Sequence, residues 1–338
     1  MDSELEVLRR AYPLPSCWER VDLFSERVAV EGLTIHCVGL LAVSGDGREV
    51  TGSAACTHSS PVARAYFELV ERATLVDLQS NPRDSYPLLN SDARYAGIIA
   101  HDELFPSAPE GSPFRFALSN GVAVGPDFEH AARGAHAELV ERDRLLRSWF
   151  GRGAPVPLAA IGHDSSSIPH HLYDVEVYDF PAHQPEDDSS LEVIGVFAFP
   201  KRAHAPLVYG SAAAPTREQA VRHASRECLQ RLGFLWGEAL PNSLPEFEPT
   251  PGYHQEFYLY PESHGALRAW LSGANEENRP MSRLRSRRGR RFAILTPEHL
   301  LRRLCVVKVL PDEDLRLAFG QHPDVKSELR QRGVHPIA

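Results

Sequence analysis

Apolar residues first occur in short runs of the length that strands have. A nearly continuous run covers Thr34–Val43, and a second segment, Glu49–Gly52, follows after Gly45-Asp46-Gly47. Two short segments joined by a glycine- and aspartate-rich turn are typical of a β-hairpin. The pattern therefore predicts paired strands here, and the glycines are better explained by the turn than by dinucleotide binding.

The spacing then changes to that of a helix. Val62, Ala65, Leu69, Ala73 and Val76 form a stripe, and Phe67 and Leu78 flank the same face. The helix is predicted to begin at Pro61, with the hydroxyl of Ser59 or Ser60 available as its cap. A helix that is apolar on nearly all sides is normally buried.

Two further helices have clear boundaries. One begins at Pro126 or Asp127 and ends at Gly151, and the other is capped by Thr216 and ends at Gly233. Hydroxyl and carboxylate caps at the start and glycine at the end are the usual helix signals.

The first two helices contain an internal repeat. Residues 65–77 and 135–147 agree at seven positions, including the pentapeptide Glu-Leu-Val-Glu-Arg. The repeated side chains are Glu68, Glu71 and Arg72 in one copy and Glu138, Glu141 and Arg142 in the other. Carboxylates one turn apart share a face, and their oxygens are ligands that Mg²⁺ prefers. The simpler alternative is an i, i+4 ion pair from Glu68 to Arg72 and from Glu138 to Arg142.

Composition limits the classes of protein. Of 338 residues, 43% are hydrophobic and 24% charged, as in globular domains, and the net charge of −9 argues against general nucleic-acid binding. The longest apolar run is too short for a membrane helix and contains His36. The acidic start of the chain is unlike a signal peptide, and five scattered cysteines suggest no disulfide framework. We therefore expect a soluble cytoplasmic protein.

Several catalytic motifs are absent from the sequence. No lysine precedes Lys201, so a lysine-containing phosphate loop is missing, and neither Gly-x-Ser-x-Gly nor His-Glu-x-x-His occurs. His136 begins a pattern like that of zinc deaminases, but the required Pro-Cys-x-x-Cys does not follow. His163, His170 and His171 lie close together in a Ser/Pro-rich loop, where metal binding would be adventitious.

Two polar segments have no assigned role. Six arginines lie between Arg283 and Arg291, after the Gly/Asn/Pro-rich stretch Ser272–Pro280. A solvated mobile loop is the simpler interpretation, and a docking patch for an acidic peptide or partner is the alternative. The tract Ile161–Ser190, rich in His, Ser, Pro and Asp, is expected to carry loops.

Ser119–Gly125 runs directly into the second helix. Its glycines permit close backbone approach, and the helix N-terminus offers N–H groups to an anion. Together with the repeat, this segment resembles the YcaO family of ATP-dependent enzymes, which activate backbone amides in peptides. The matching segments are Ala63–Arg72, Ser119–Gly125 with Ala131, Glu138–Asp143, Ala220–Gln230 and Val306–Pro311.

The resemblance spans roughly residues 50 to 323 and implies an α/β fold. It implies one domain over 1–338, with an N-terminal segment (1–50), a core (51–323) and a tail (324–338). Duplicated helix-plus-sheet units would surround a central site for ATP and Mg²⁺. The implied ATP-binding residues are Arg72, Ser119, Asn120, Arg142, Glu227 and Gln230. The implied metal ligands are Glu68, Glu71, Glu138, Glu141 and Glu227.

The family's chemistry is attack by a Cys, Ser or Thr side chain on the preceding amide carbonyl. ATP phosphorylates the resulting oxyanion, and loss of phosphate gives an azoline. A related branch uses sulfide and makes thioamides. This chain departs from the family at His130 and His223, where Glu and Arg are common, and it ends with Pro336 as its one proline instead of a proline-rich tail. A non-catalytic scaffold is therefore the rival interpretation.

The resemblance also implies partners. The substrate is a ribosomally made precursor peptide, and the chain is expected in an oligomer or heteromeric complex. Only about 33 residues precede the hairpin, so we expect a separate partner to bind the leader peptide. The resemblance further implies a flavin dehydrogenase that oxidises the azolines, and a sulfur-delivering partner would accompany thioamide formation.

Overall fold

A computed structural model describes residues 2–151, 153–159, 168–182, 190–273, 289–312, 314–321 and 334–337. Everything below concerns these residues. The sequence features outside them are His163, residues 161–167 and 183–189 of the loop-bearing tract, and Arg283, Arg285, Arg287 and Arg288 of the arginine cluster.

Helices and antiparallel strands alternate along the described chain. The helices are α1 (Asp2–Ala11), α2 (Val62–Ser80), α3 (His101–Leu104), α4 (Phe128–Trp149), α5 (Arg217–Leu235), α6 (Pro251–Leu259) and α7 (His264–Leu271). The first seven strands are β1 (Trp18–Val30), β2 (Leu33–Ser44), β3 (Glu49–Cys56), β4 (Ser85–Asn90), β5 (Tyr95–Ala100), β6 (Phe114–Phe116) and β7 (Val122–Gly125). The other seven are β8 (Val156–Pro157), β9 (Tyr173–Asp179), β10 (Glu192–Pro200), β11 (Val208–Ala214), β12 (Arg291–Ile294), β13 (Cys305–Val309) and β14 (Ala318–Gly320).

The chain divides into two compact units. The first unit comprises Met1–Phe105, Leu118–Glu138 and Arg288–Asp312, and the second comprises Pro106–Ala117, Leu139–Arg287 and Glu313–Ala338. The first unit holds sheets in the orders β1-β2-β3 and β5-β4-β12-β13-β7, and the second holds β11-β10-β9-β8 and β14-β6. The predicted α/β class is confirmed.

In the first unit, α2 packs against the sheet that contains the predicted hairpin. β2 and β3 pair with Val43 opposite Glu49, as the turn signal indicated. Helix α2 begins one residue after Pro61, but no side chain caps it. The expected cap is wrong because the Ser60 hydroxyl donates instead to Glu4, 3.1 Å away.

The second unit repeats this arrangement with β9, β10, β11 and α5. The Thr216 hydroxyl accepts the backbone N–H of Gln219 at the start of α5, so the predicted cap is confirmed. The predicted end at Gly233 is wrong, because the helix continues to Leu235. Gly233 is buried within its last turn.

Strand and helix approach each other closely in both repeats. A Cβ added to Gly52 on β3 would lie 2.2 Å from the Ala65 carbonyl oxygen of α2. A Cβ on Gly210 of β11 would lie 2.4 Å from the Ala224 carbonyl oxygen of α5. The structural counterpart of α2 is therefore α5, although the longest sequence identity joins α2 to α4.

Gly210→Ala is expected to destabilise the fold by about 3 kcal/mol, since overpacking against backbone atoms cannot be relieved by a side-chain rotation. The control is Gly265→Ala on α7, where an added Cβ meets no atom within 4 Å. That change should be neutral or gain about 0.5 kcal/mol. Urea unfolding measures both, and equal effects of the two substitutions would contradict the close packing.

Helix α4 follows β7 across a tight connection. A Cβ on Gly125 would lie 2.6 Å from the Ala131 backbone nitrogen, so only glycine fits there. The Asp127 carboxylate accepts the backbone N–H of His130 at 2.9 Å and caps the helix, near the predicted start. Residues of α4 up to Glu138 belong to the first unit, and those from Leu139 belong to the second.

Candidate functional site

Two of the predicted carboxylates meet at one serine in the second unit. The Ser211 backbone N–H donates to Glu227 Oε2 at 2.7 Å. Its hydroxyl donates to Glu141 Oε1, also at 2.7 Å. Glu141 is buried, and Arg142 Nε lies 3.8 Å from Glu141 Oε1. Ser211 therefore orients carboxylates from α4 and α5 toward the middle of β11.

The first unit contains the matching contact. The Ser53 backbone N–H on β3 donates to Glu68 Oε2 on α2 at 2.8 Å. Arg72 Nη2 lies 2.5 Å from Glu68 Oε1, and Arg72 Nη1 also donates to Thr51. The simpler alternative for this helix, an i, i+4 ion pair, is therefore what forms. Arg72 is half-exposed, and its guanidinium group pairs with Glu68 and hydrogen-bonds to β3.

Glu71 lies among like charges in the first unit. Burial, and then the negative charges of Glu138 and Glu68, raise the pKa of its carboxyl well above the ordinary 4.5. The positive charges of Arg72 and Lys308 oppose this rise in pKa without cancelling it. The unit therefore concentrates three predicted metal ligands where an added cation would be stabilising.

Lys308 fixes the predicted phosphate-binding turn. Its side chain is buried, and its ammonium donates to the carbonyl oxygens of Leu118, at 2.8 Å, and Asn120, at 2.6 Å. The turn closes when Val122 N–H donates to the Ser119 carbonyl, with Gly121 at φ +70°. Asn120 is also buried, and its side-chain oxygen accepts no hydrogen bond from the described residues.

A cavity of about 20 Å³ lies next to the Ser211 contact in the second unit. Its lining includes Arg142, Tyr209, Ser211, Glu227, Arg231, Pro336 and Ile337. The Arg231 guanidinium lies over the Tyr209 ring, 4.3 Å from its centroid. Sequence analysis included Arg142 and Glu227 and missed the others. The sequence does contain a signal for this site. A Gly-Ser pair occurs at 52–53 and again at 210–211, and each pair is followed by a glutamate on the next helix.

Residues 334–337 are held in place by buried histidine contacts. His254 Nδ1 hydrogen-bonds the His335 carbonyl oxygen at 2.9 Å, and His254 Nε2 accepts the Gly320 N–H at 2.8 Å. Tyr258 donates its hydroxyl to the Val334 carbonyl. The lone Pro336, treated above as a departure from a proline-rich tail, thus lines the same cavity as Glu227.

Acid should release this segment. Burial lowers the pKa of His254 from 6.5 to about 4, against the opposing effect of its backbone hydrogen bonds. The unfolded chain therefore binds more protons between these values, and stability falls as the pH drops through that window. The full loss is about 3 kcal/mol for a shift of this size.

Urea titrations between about pH 7 and about pH 4, followed by tryptophan fluorescence, measure this loss. Trp270, one of the four tryptophans, lines the cavity beside the segment. His254→Gln should flatten the pH dependence, whereas His58→Gln, an exposed control, should not. An identical slope for His254→Gln and the wild type would exclude this role of His254.

A family model described as "YcaO cyclodehydratase, ATP-ad Mg2+-binding" matches residues 88–304, more than half of the chain. The chain belongs to the YcaO family. The resemblance noted from the sequence is confirmed, and so are the two cofactors, ATP and Mg²⁺. No curated protein matches the sequence.

Solved YcaO-type structures share the fold. YcaO from Methanopyrus kandleri, bound with AMPPCP and Mg²⁺, superposes with a TM-score of 0.61 at 20% identity, covering 91% of this chain and 89% of that one. A chain of the E. coli microcin synthetase McbBCD complex gives 0.60 at 12% identity, with 94% and 96% covered. A heterocyclase in complex with substrate and cofactor gives 0.58 at 15%, with 90% and 52% covered.

The carboxylates of this YcaO chain fit Mg²⁺ by their chemistry. Within the described ranges, no three His, Cys, Asp or Glu side chains already form a cage for a metal. Mg²⁺ does not need one, because it keeps several waters and takes one or two carboxylates together with phosphate oxygens. Burial raises the pKa of Glu71 most, the like charges of Glu138 and Glu68 raise it further, and an ion at these carboxylates would offset their mutual repulsion.

The two histidines that depart from the YcaO pattern, His130 and His223, are both exposed. His130 Nδ1 lies 2.8 Å from Asp127 Oδ1 at the start of α4. His223 lies on α5, where partial desolvation of its ring and then the positive charges of Arg226 and Arg222 lower its pKa. Gln230 is partly buried, one turn after Glu227 on α5.

None of the described helices is long and apolar enough to cross a membrane.

Proposed function

We propose that this YcaO chain uses ATP to activate backbone amides of a ribosomally made precursor peptide, giving thiazolines or oxazolines from Cys, Ser or Thr. The observation that carries the proposal is that Ser211 donates hydrogen bonds to both Glu141 and Glu227. Arg142 and Arg231 line the cavity beside this contact. Carboxylates and guanidinium groups gathered around one serine are the groups that a metal–nucleotide complex requires.

In the proposed reaction, a side-chain oxygen or sulfur attacks the preceding amide carbonyl. The amide oxygen takes the γ-phosphoryl group and leaves as phosphate, so one ATP gives one ring, ADP and phosphate. Bound Mg²⁺ would neutralise phosphate charge during this transfer. Glu141 and Glu227 of the second unit are proposed to bind Mg²⁺, as are Glu68, Glu71 and Glu138 of the first unit, and Arg142 is proposed to contact phosphate.

The protein's own contribution is orientation. Ser211 keeps Glu141 and Glu227 from rotating, and the Lys308 ammonium keeps the Ser119–Gly121 turn in one conformation. The Asn120 side-chain oxygen in that turn is left to accept a donor from a ligand. Such preorganised groups need not rearrange when charge develops during the reaction.

Partners are part of the proposal. A chain of the E. coli McbBCD complex with pro-MccB17 bound shares this fold, with a TM-score of 0.59 and 12% identity. We propose that a separate subunit delivers the precursor peptide to this chain, and that a flavin dehydrogenase oxidises the azolines. We also propose one YcaO-type domain over 1–338 and a cytoplasmic location.

Co-expression of the chain with a candidate precursor peptide and candidate partner proteins tests the function. Mass spectrometry should show loss of one water per ring, and Glu141→Gln should leave the peptide unmodified. Replacement of oxygen by sulfur would identify the thioamide branch instead. An unmodified peptide, with no ADP formed by the purified complex, would contradict catalysis and favour a scaffold.

A further inference from the structure

A second cavity, of about 450 Å³, lies in the first unit. Strands β1 and β2 and the segment that leads into α2 form its wall. The polar side chains of this lining include Ser25, Arg27, His36, His58, Ser59 and Ser60. None of them belongs to the site described above. The volume is in the range of pockets that bind small molecules.

A row of three side chains crosses the sheet at this cavity. Arg27 on β1 pairs with His36 on β2, and His36 pairs with Cys56 at the end of β3. Side chains paired in this way lie on one face of a sheet, with neighbouring Cβ atoms about 5 Å apart. Cys56 Sγ also lies 3.5 Å from the Ser59 hydroxyl oxygen, which belongs to the lining. The row therefore places a thiol beside an imidazole at the cavity, with a guanidinium one strand farther away.

The adjacent row carries the one acid of the described lining. Glu26, Cys37 and Ala55 pair across the same three strands. Because side chains alternate along a strand, this row belongs to the opposite face of the sheet. Burial, and then the negative charge of Glu26, raise the pKa of Cys37 to about 11. Glu26 therefore acts on Cys37 and is directed away from Cys56.

The surroundings of Cys56 favour its thiolate. Burial raises the pKa of the thiol, but three other influences outweigh it and lower the pKa from 9.0 to about 7. They are hydrogen bonds from the backbone of His58 and Ser59, the Ser59 hydroxyl and the positive charge of Arg64. The thiolate is the form of cysteine that attacks disulfides. Cys56 is also only partly buried, so a small molecule can reach it.

Groups that attract anions lie near this thiol. Neither the Arg27 guanidinium nor the His36 ring has an ion-pair or hydrogen-bond partner in the described part of the chain. No side chain caps the start of α2, which directly follows the lining segment. Free N–H groups at a helix start attract negative charge. The cavity therefore suits a ligand that carries carboxylates.

We propose that Cys56 forms a mixed disulfide with a small thiol that carries carboxylates, whose other atoms occupy the cavity. The Cys56 thiolate attacks one sulfur of the symmetric disulfide of that thiol. A new sulfur–sulfur bond joins Cys56 to one half, and the bond that breaks releases the other half as a thiolate, which takes a proton from water. The disulfide is itself the oxidant, so the step needs no other reactant. This modification does not depend on the proposed reaction.

Oxidised glutathione, an acidic disulfide, tests the site. The whole chain is incubated with it at about pH 7, and intact-mass measurement and peptide mapping should find one glutathionyl group, on Cys56. Cys17 and Cys305 are internal controls, because they too are partly buried but burial raises the pKa of both. Cys56→Ser should acquire no group. No adduct, or one that forms as fast on Cys17 or Cys305, would overturn the proposal.

A second disulfide tests the part played by the cavity. Cystamine is cationic, so the rate of Cys56 with oxidised glutathione divided by its rate with cystamine reports attraction of acidic groups. Arg27→Gln should lower this ratio about fivefold, the upper end of what an exposed ion pair contributes. Arg20→Gln is the control, since Arg20 lies on the same strand but outside the described lining and pairs with Asp22. An equal ratio in the wild type and Arg27→Gln would overturn binding in the cavity.

Discussion

Lys308→Met is expected to lower the free energy of unfolding by about 3–5 kcal/mol, since removing one partner of a buried charge network leaves the others uncompensated. Two carbonyl oxygens, those of Leu118 and Asn120, would lose their donor inside the first unit. Glu71 would lose a positive charge that now opposes the rise in its pKa. The turn that carries Ser119 and Asn120 should then lose its fixed conformation.

Chemical denaturation measures the loss, and nucleotide affinity of the folded fraction measures the effect on the turn. Lys201→Met is the control. Its ammonium donates to the His170 carbonyl and pairs with Asp174, but the side chain is 40% exposed. Exposed pairs contribute about 0–1 kcal/mol. Comparable losses at Lys308 and Lys201 would mean that the buried contacts of Lys308 are not structural.

Glu71→Gln is expected to stabilise the ligand-free protein while removing its response to Mg²⁺. The pKa of Glu71 is raised above 4.5, so the folded state binds more protons than the unfolded state above that pH. Stability is therefore lost as the pH rises through the folded pKa. Glutamine carries no charge, so the melting temperature of the variant should exceed that of the wild type at about pH 8.

Adding Mg²⁺ with a non-hydrolysable ATP analogue should reverse the order. The wild type should gain about 2.7 kcal/mol at a ligand concentration a hundredfold above Kd, and Glu71→Gln should gain much less. Glu238→Gln, at an exposed position, is the control and should behave like the wild type. If Glu71→Gln were less stable than the wild type without ligand, the like-charge account would be wrong.

Local chemistry made much of this fold predictable. The hairpin before Glu49, the Thr216 cap and the Glu68–Arg72 ion pair depend on residues within a few positions of one another, and all three form. The Ser60 cap failed because a residue distant in the chain, Glu4, takes its hydroxyl. Long-range contacts of this kind leave no periodic trace in the sequence.

The structural counterpart of α2 was hidden for the same reason. The pentapeptide Glu-Leu-Val-Glu-Arg pairs α2 with α4, whereas the matching strand–helix contacts pair α2 with α5. That equivalence rests on two hydrogen bonds. The backbone N–H of Ser53 donates to a glutamate 15 residues later, and the backbone N–H of Ser211 donates to one 16 residues later. Only packing of helix on sheet reveals it. The repeated carboxylates were predictable, but the groups that orient them were not.

The proposed function depends on Mg²⁺-dependent nucleotide binding by the carboxylates of α2, α4 and α5. Calorimetric titration of ATP with and without Mg²⁺, in the wild type and Glu141→Gln, measures this binding. We expect micromolar binding that requires Mg²⁺ and is lost in Glu141→Gln, although that variant remains folded. Equal ATP affinity in both proteins, or binding that does not depend on Mg²⁺, would contradict it.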